Sequence, residues 1–305
     1  MSAVLAMTGA TGFVGGATMR QAIDAGWHVR ALTRRAQPGR EGVTWIAGAL
    51  DDTDSLNEMA AGSDVVMHIA GVVNVPKRAA FEAGNATATA SVVAAARDAG
   101  VRRFVHVSSL AAREPGLSDY GWSKERAEAA VTASGLDWTI VRPPAVFGPG
   151  DTEMLDLFRM ARRGVALLPP KGRMSAIYVD DLARLLVALA ADRSASLGAI
   201  YEPDDGQAGG WSHRGFAHAI GRAVGRRRIA TLAVPGVVLK AGGRIDKLVR
   251  RGGAKLTPDR ARYIAHPDWV AAHGAQPPAA LWQPEWATDD ALAETVRWYL
   301  RAGWL

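Results

Sequence analysis

Tyr120 and Lys124 stand four residues apart in the run Tyr120-Gly121-Trp122-Ser123-Lys124. On a helix that spacing stacks the two side chains on one face. A phenol with an ordinary pKa of about 10 is a poor acid–base group at neutral pH, and a neighbouring ammonium favours its ionised form. A second cluster, Thr8-Gly9-Ala10-Thr11-Gly12-Phe13-Val14-Gly15, spaces its glycines as GxxGxxG. Absent side chains at a turn let backbone N–H groups reach a diphosphate, and the positive end of a following helix adds attraction. Gly9 and Gly12 suit the turn and the close approach, and Gly15 suits helix-on-sheet packing. A third run ends Leu32-Thr33-Arg34-Arg35. An acid there would bond ribose hydroxyls and repel a 2′-phosphate, whereas arginine offers that phosphate donors. The three features together suit a phosphorylated dinucleotide held beside a phenol that trades protons.

These residues need elements to position them. Hydrophobic periodicity predicts a strand over Ala3–Met7, a helix over Phe13–Ala25, strands over His28–Thr33 and Val43–Ala47, and a helix over Ser55–Ala61. A strand over Asp64–Ala70, one helix over Ala79–Ala99, a strand over Arg103–Ser108, a helix over Asp119–Ala133 and a strand over Trp138–Arg142 follow. Such alternation requires parallel pairing with right-handed crossovers, hence an α/β fold with a doubly wound parallel sheet. After Pro149-Gly150 the rhythm breaks. The expected organisation is a nucleotide-binding domain over 1–203 with a substrate-lobe insertion near 145–175. A smaller, mostly helical, basic C-terminal lobe covers 204–288, and a helix over 289–305 docks back through Val296, Tyr299 and Leu300.

Composition narrows the classes. At 305 residues, with 49% hydrophobic and 22% charged side chains, the chain lies far from the regime of disorder. The absence of cysteine excludes disulfides, thiolate metal sites and cysteine nucleophiles. Seven scattered histidines show no HExxH pairing, so no metal is expected, and His68 and His106 read as core residues. No apolar run approaches the roughly 20 residues of a membrane span, and no basic leader precedes the glycine motif. A soluble, cytoplasmic protein is expected.

The charge is regional. Ile220–Arg262 carries 12 Lys or Arg against Asp246 and Asp259, a local +10, while the remainder of the chain sums to −4. Within it, 236–251 interleaves basic with apolar residues, a pattern suited to an anionic membrane surface, an anionic or carrier-bound small-molecule substrate, or a solvated helix face. No aromatic residue lies between Arg226 and Arg262, which argues against nucleic acid. A homodimer is compatible with the sequence.

TGATGFVG, Asp64-Val65-Val66-Met67-His68-Ile69-Ala70-Gly71, Asn85-Ala86-Thr87 and the Tyr120–Lys124 run resemble the short-chain dehydrogenase/reductase superfamily. Arg142-Pro143-Pro144-Ala145-Val146-Phe147-Gly148-Pro149 and Tyr178-Val179-Asp180-Asp181 place the resemblance nearer the extended, NAD(P)-dependent epimerase/dehydratase branch. It covers about Met1 to Asp192 and implies a Rossmann fold. It also implies catalysis by Tyr120, Lys124 and Ser109, with Ser109 bonding the substrate oxygen and Lys124 bonding the nicotinamide ribose; the neighbouring Ser108 is the alternative to Ser109. The implied cofactor contacts are Gly9, Thr11, Gly12, Phe13, Val14, Arg34, Arg35, Leu50, Ala70, Gly71, Lys124 and Pro143. NADP is the expected cofactor, NAD the alternative.

Two features depart from the family pattern. Ala49 stands where the family carries an aspartate for the adenine amino group, and Leu50 follows it. Only ten residues separate Ser109 from Tyr120, which leaves less pocket wall than a nucleotide-sugar epimerase has. The expected function is hydride transfer between nicotinamide and a carbonyl or secondary alcohol, as an oxidoreductase or epimerase. The alternative is a non-catalytic NAD(P)H-binding regulator or assembly factor.

Overall fold

A computed structural model of the chain describes residues 2–169, 171–192, 194–234 and 258–305. Seven parallel strands form its main sheet: β1 (Val4–Thr8), β2 (His28–Thr33), β3 (Val43–Ala47), β4 (Val65–His68), β5 (Arg103–Val107), β6 (Asp137–Val141) and a last strand, Ala199–Tyr201. Their spatial order is last strand, β6, β5, β4, β1, β2, β3. The chain therefore starts mid-sheet, winds out to β3, and crosses back to set β4 on the other flank of β1. Leu5 pairs with Val29 on one side and Val65 on the other. The winding reverses between β1 and β4, and such a reversal opens a crevice at the C-terminal strand ends. β4 and β5 are buried along their full length, β5 with Arg103 and His106 among its buried residues.

The helices are α1 (Phe13–Asp24), α2 (Thr53–Ala60), α3 (Arg78–Phe81), α4 (Ala88–Asp98) and α5 (Asp119–Thr132). Leu32, Leu56, Met59, Val66, Val92, Phe104, Val131 and Ile140 form one core cluster between sheet and helices. Burying each such large side chain contributes about 1.5–3 kcal/mol. The single helix expected over Ala79–Ala99 is interrupted by a π-helical stretch, Glu82–Thr87. Asn85 explains the widened turn. Its amide takes the N–H of Val72 at 2.8 Å and donates to the Val72 carbonyl at 3.0 Å and to Ser123 Oγ at 2.8 Å. Ser118 starts α5 by accepting the Gly121 N–H at 3.0 Å, with Asp119 in the first turn. That cap sets the helical phase that aligns Tyr120, Lys124 and Glu128.

The chain divides into two compact units. The first comprises Met1–Pro143, Leu182–Glu202 and Pro277–Trp282; the second comprises Pro144–Asp181, Pro203–Gln276 and Gln283–Leu305. The second unit mixes helices with short strand pairs, among them Ala145–Phe147 with Ala176–Tyr178 and Val165–Leu168 with Ala230–Ala233. Phe147, Phe158, Phe216 and Tyr299 are fully buried in it. In helix Thr288–Arg301, Val296 and Tyr299 are buried, and the Tyr299 hydroxyl donates to the Asp151 carbonyl at 2.7 Å. Leu300, expected to dock, is half exposed, at the edge of the stripe buried through Ala291, Leu292, Thr295, Val296 and Tyr299. The basic segment 236–251 lies outside the described residues. No described helix is long and apolar enough to cross a membrane.

Candidate active site

A cavity of about 560 Å³ opens where the winding reverses. Its walls come from the ends of β1, β2, β3 and β4 and from the π-helical stretch with the start of α4. Of the residues expected at the cofactor, Gly9, Thr11, Arg34, Leu50, Ala70 and Gly71 line it. Gly12, Phe13 and Val14 form the start of α1 beside that lining, while Arg35, Lys124 and Pro143 do not line it.

The glycine turn is built by contact distances. Gly9 has φ +79°, and a Cβ there would lie 2.7 Å from the Ala70 nitrogen; at Gly15 it would lie 2.0 Å from the Gly9 carbonyl oxygen. The turn closes through Gly12 N–H to the Gly9 carbonyl at 2.9 Å, and α1 begins without a side-chain cap. Its first-turn N–H groups are thereby left for an anion. Thr8 ties β1 to the chain after β4, accepting the Ala70 N–H at 3.3 Å. A backbone cradle that no side chain could enter, opening into a cavity, fits a dinucleotide diphosphate. Arg34 is exposed on the cavity rim. Ala49 also lines the cavity with Asp51 beside it, so the family aspartate's position is walled by a methyl group.

Lys124 carries the electrostatics of the corner where α5 meets β5. It is 5% exposed, and its Nζ donates to the Val107 carbonyl at 3.1 Å. Burial pushes its pKa down to about 8, against the pull of Glu128. A Cβ on Gly71 would lie 3.3 Å from that Nζ and 2.8 Å from Asn85 Oδ1, so the ammonium sits directly against the cavity-lining Gly71. Tyr120 is half-buried one turn earlier, its ring 6.1 Å from Phe81.

The two adjacent serines part company. Ser108 Oγ donates to Glu128 Oε1 at 2.5 Å. Ser109 Oγ instead accepts the Ala111 N–H at 3.2 Å, capping the 3₁₀ turn Leu110–Arg113, and its own O–H is left for a further acceptor. The short Ser109–Tyr120 segment is compact because that turn is buried and Gly121 packs on it; a Cβ there would meet the Ala111 carbonyl oxygen at 2.5 Å.

Sequence reasoning missed the charge network behind this corner. Arg142 binds Glu128 through two hydrogen bonds, at 2.9 and 2.6 Å, and reaches Glu202 at 3.5 Å; Arg113 meets Glu202 at 3.0 Å. Glu128 is 6% and Glu202 4% exposed at the side chain. The available signal was Glu128 itself, four residues beyond Lys124 on the same stripe. His68 and His106 stack in the core at 5.4 Å, fully buried. His68 bonds Thr8 and Thr89, and burial, then the Lys124 charge, lower its pKa to about 3. Burial likewise holds His106 well below the usual imidazole range, so both rings are neutral at physiological pH.

Residues 9–193 match the family model described as NAD(P)H-binding. The chain is 37% identical to a ceramide reductase of Caulobacter vibrioides over 316 aligned positions, covering 99% of this chain and 96% of that one. It is 28% identical to a 2-alkyl-3-oxoalkanoate reductase of Stenotrophomonas maltophilia, covering 88% and 92%. Among solved structures, the human epimerase family protein SDR39U1 with NADPH superposes at a TM-score of 0.74, with 19% identity over 96% and 99% of the two chains, a likeness of fold. With its Rossmann sheet and glycine cradle, this chain belongs to the NAD(P)H-binding, extended short-chain dehydrogenase/reductase family and is an NAD(P)-dependent enzyme of the oxidoreductase/epimerase kind.

Proposed function

We propose that the chain is an NADPH-dependent reductase of a ketone on a long-chain amide lipid of the ceramide type. The observation that carries this reading is the end-to-end likeness to the Caulobacter ceramide reductase, which spans the second unit as well as the first. A ceramide has one secondary alcohol, so a reduction that leaves its skeleton intact forms that alcohol from the ketone. The name of the Stenotrophomonas relative supports the same group, a 3-oxo carbon beside a substituted carbon.

In this reading the carbonyl oxygen lies against Tyr120 and Ser109. Bound NADPH supplies the hydride that reduces the carbon. Tyr120 gives its phenolic proton to the oxygen, and the Ser109 hydroxyl donates a hydrogen bond to it. Lys124, held by the Val107 carbonyl, lowers the cost of the phenolate left behind. Arg34 takes the 2′-phosphate, with Arg35 in support, and Gly9, Thr11, Gly12, Phe13 and Val14 face the diphosphate through their backbone. Leu50, Ala70 and Gly71 wall the remaining cofactor. Such chemistry runs in the cytoplasm, where NADPH is supplied.

The test is to mix the purified chain with NADPH and a ceramide oxidised at its secondary alcohol. Loss of NADPH absorbance matched by a product two hydrogens heavier is expected. Turnover of nucleotide sugars with no turnover of the lipid ketone would overturn the reading.

A further inference from the structure

In the second unit, strands Val165–Leu168 and Ala230–Ala233 pair in parallel with Val165 beside Ala230 and Leu167 beside Leu232. Strand alternation sends Ala166 and Leu168 inward, where they are 0% and 7% exposed. The other face is apolar throughout, formed by Val165, Leu167, Ala230 and Leu232, and its two leucines are 51% and 57% exposed. Side-by-side leucines at that exposure are unusual on a face with no polar residue.

Because the strands are parallel, what precedes both lies at one end. Arg162 and Arg163 precede the first strand, and Arg226, Arg227 and Arg228 precede the second. All five are exposed, and the Arg226 Nε–H donates to the Arg162 carbonyl at 2.9 Å, which draws the two groups together. None of the five has a carboxylate partner among the described residues. Elsewhere in the same unit arginines do take one, as Arg222 does with Asp289 and Arg260 with Glu153.

We infer that this face is a docking surface for an anionic lipid bilayer, with Leu167 and Leu232 entering the interface and the arginines meeting lipid phosphates. Charge complementarity selects that occupant. A second copy packed leucine on leucine would cover the apolar half but bring no carboxylate from this patch to the arginines of either copy. A soluble polyanion would leave the leucines without a partner. An anionic leaflet satisfies both halves of the patch, with attraction worth roughly fivefold in partitioning for each basic residue at the surface. The inference does not depend on which substrate the first unit reduces, since adsorption needs no turnover.

Flotation of the full chain with vesicles tests it. The chain is expected to float with phosphatidylcholine vesicles containing phosphatidylglycerol, to stay behind with phosphatidylcholine alone, and to be released by salt. Arg226→Gln/Arg227→Gln/Arg228→Gln should weaken partitioning on the order of a hundredfold, the product of three such contributions. Leu167→Ser/Leu232→Ser should weaken it about tenfold, with NADPH binding and the melting midpoint reporting that both variants fold. Equal flotation with neutral and anionic vesicles, no flotation with either, or undiminished flotation of the arginine variant would overturn the proposal. So would a dimer in sedimentation that the leucine pair dissociates. If the leucine variant does not fold, the arginine variant alone decides.

Discussion

The glycine turn after β1 and the corner where α5 meets β5 belong to one compact unit and meet opposite demands. At the turn the chain removes side chains, so that backbone N–H groups and a helix end face an anion; its chemistry is steric and insensitive to pH. At the corner the chain buries charges, Lys124 beside Glu128 and Glu128 beside Arg142, so that its chemistry is electrostatic and titrates. One region fails when an atom is added, the other when a charge is removed. Each substitution below should therefore move one set of observables and leave the other alone.

The largest effect belongs to the corner. Tyr120→Phe deletes one oxygen, and turnover should fall about 10²- to 10⁴-fold, the usual worth of a positioned acid–base group. NADPH affinity, measured by fluorescence titration, should stay within about twofold because the cradle is untouched. A parallel loss of affinity would show that the two regions are not separable.

Glu128→Gln comes next. Glu128 serves Ser108 and Arg142, both with little solvent, and breaking such a pair leaves charge uncompensated at a cost of about 3 kcal/mol in urea unfolding. The same change has a pH signature whose sign is fixed. Lys124 is charged below about pH 8 and loses its proton above it, so activity should decline on the alkaline side near pH 8. Glu128 opposes that loss, so its neutral replacement should move the decline to lower pH. An unmoved alkaline limb would mean that Lys124 is insulated from Glu128.

Gly9→Ala breaks the turn instead. The φ of +79° disfavours any Cβ, and here it would press on the Ala70 nitrogen. A loss of about 1–3 kcal/mol in stability is expected, with weakened NADPH binding and no change in the shape of the pH profile.

What was legible in the sequence follows the same division. The glycine spacing, the strand–helix alternation and the Tyr120–Lys124 interval are local patterns, and the fold and the glycine cradle follow from them. The Arg113–Glu202–Arg142–Glu128 network joins residues up to 89 positions apart, and no local periodicity reports such a meeting. The π-helical turn at Glu82–Thr87 was hidden for a related reason: an alanine-rich stretch is periodic with or without an extra residue, and Asn85 reveals the bulge only through its bonds to Val72 and Ser123. Of the cavity residues contributed by that stretch, Thr87 belongs to the Asn85-Ala86-Thr87 motif, whereas Ala83, Gly84, Ala88 and Ser91 have no chemistry that would mark them in advance. The two serines were likewise equivalent in sequence and are separated only by Glu128, which takes Ser108.

The smallest effect probes the rim, where neither burial nor backbone geometry is at stake. Arg34 is exposed and lines the cavity at the end of β2. In water a charge-assisted contact is partly screened, so Arg34→Ala should weaken NADPH roughly tenfold to a hundredfold while leaving NADH nearly unchanged. Raising salt should shrink the difference between the two cofactors in the parent chain and have little effect on the variant. Isothermal titration with both nucleotides, at low and high salt, measures all four numbers. Equal losses for NADPH and NADH would move Arg34 from reading the 2′-phosphate to supporting the cradle, and the rim would then belong with the turn.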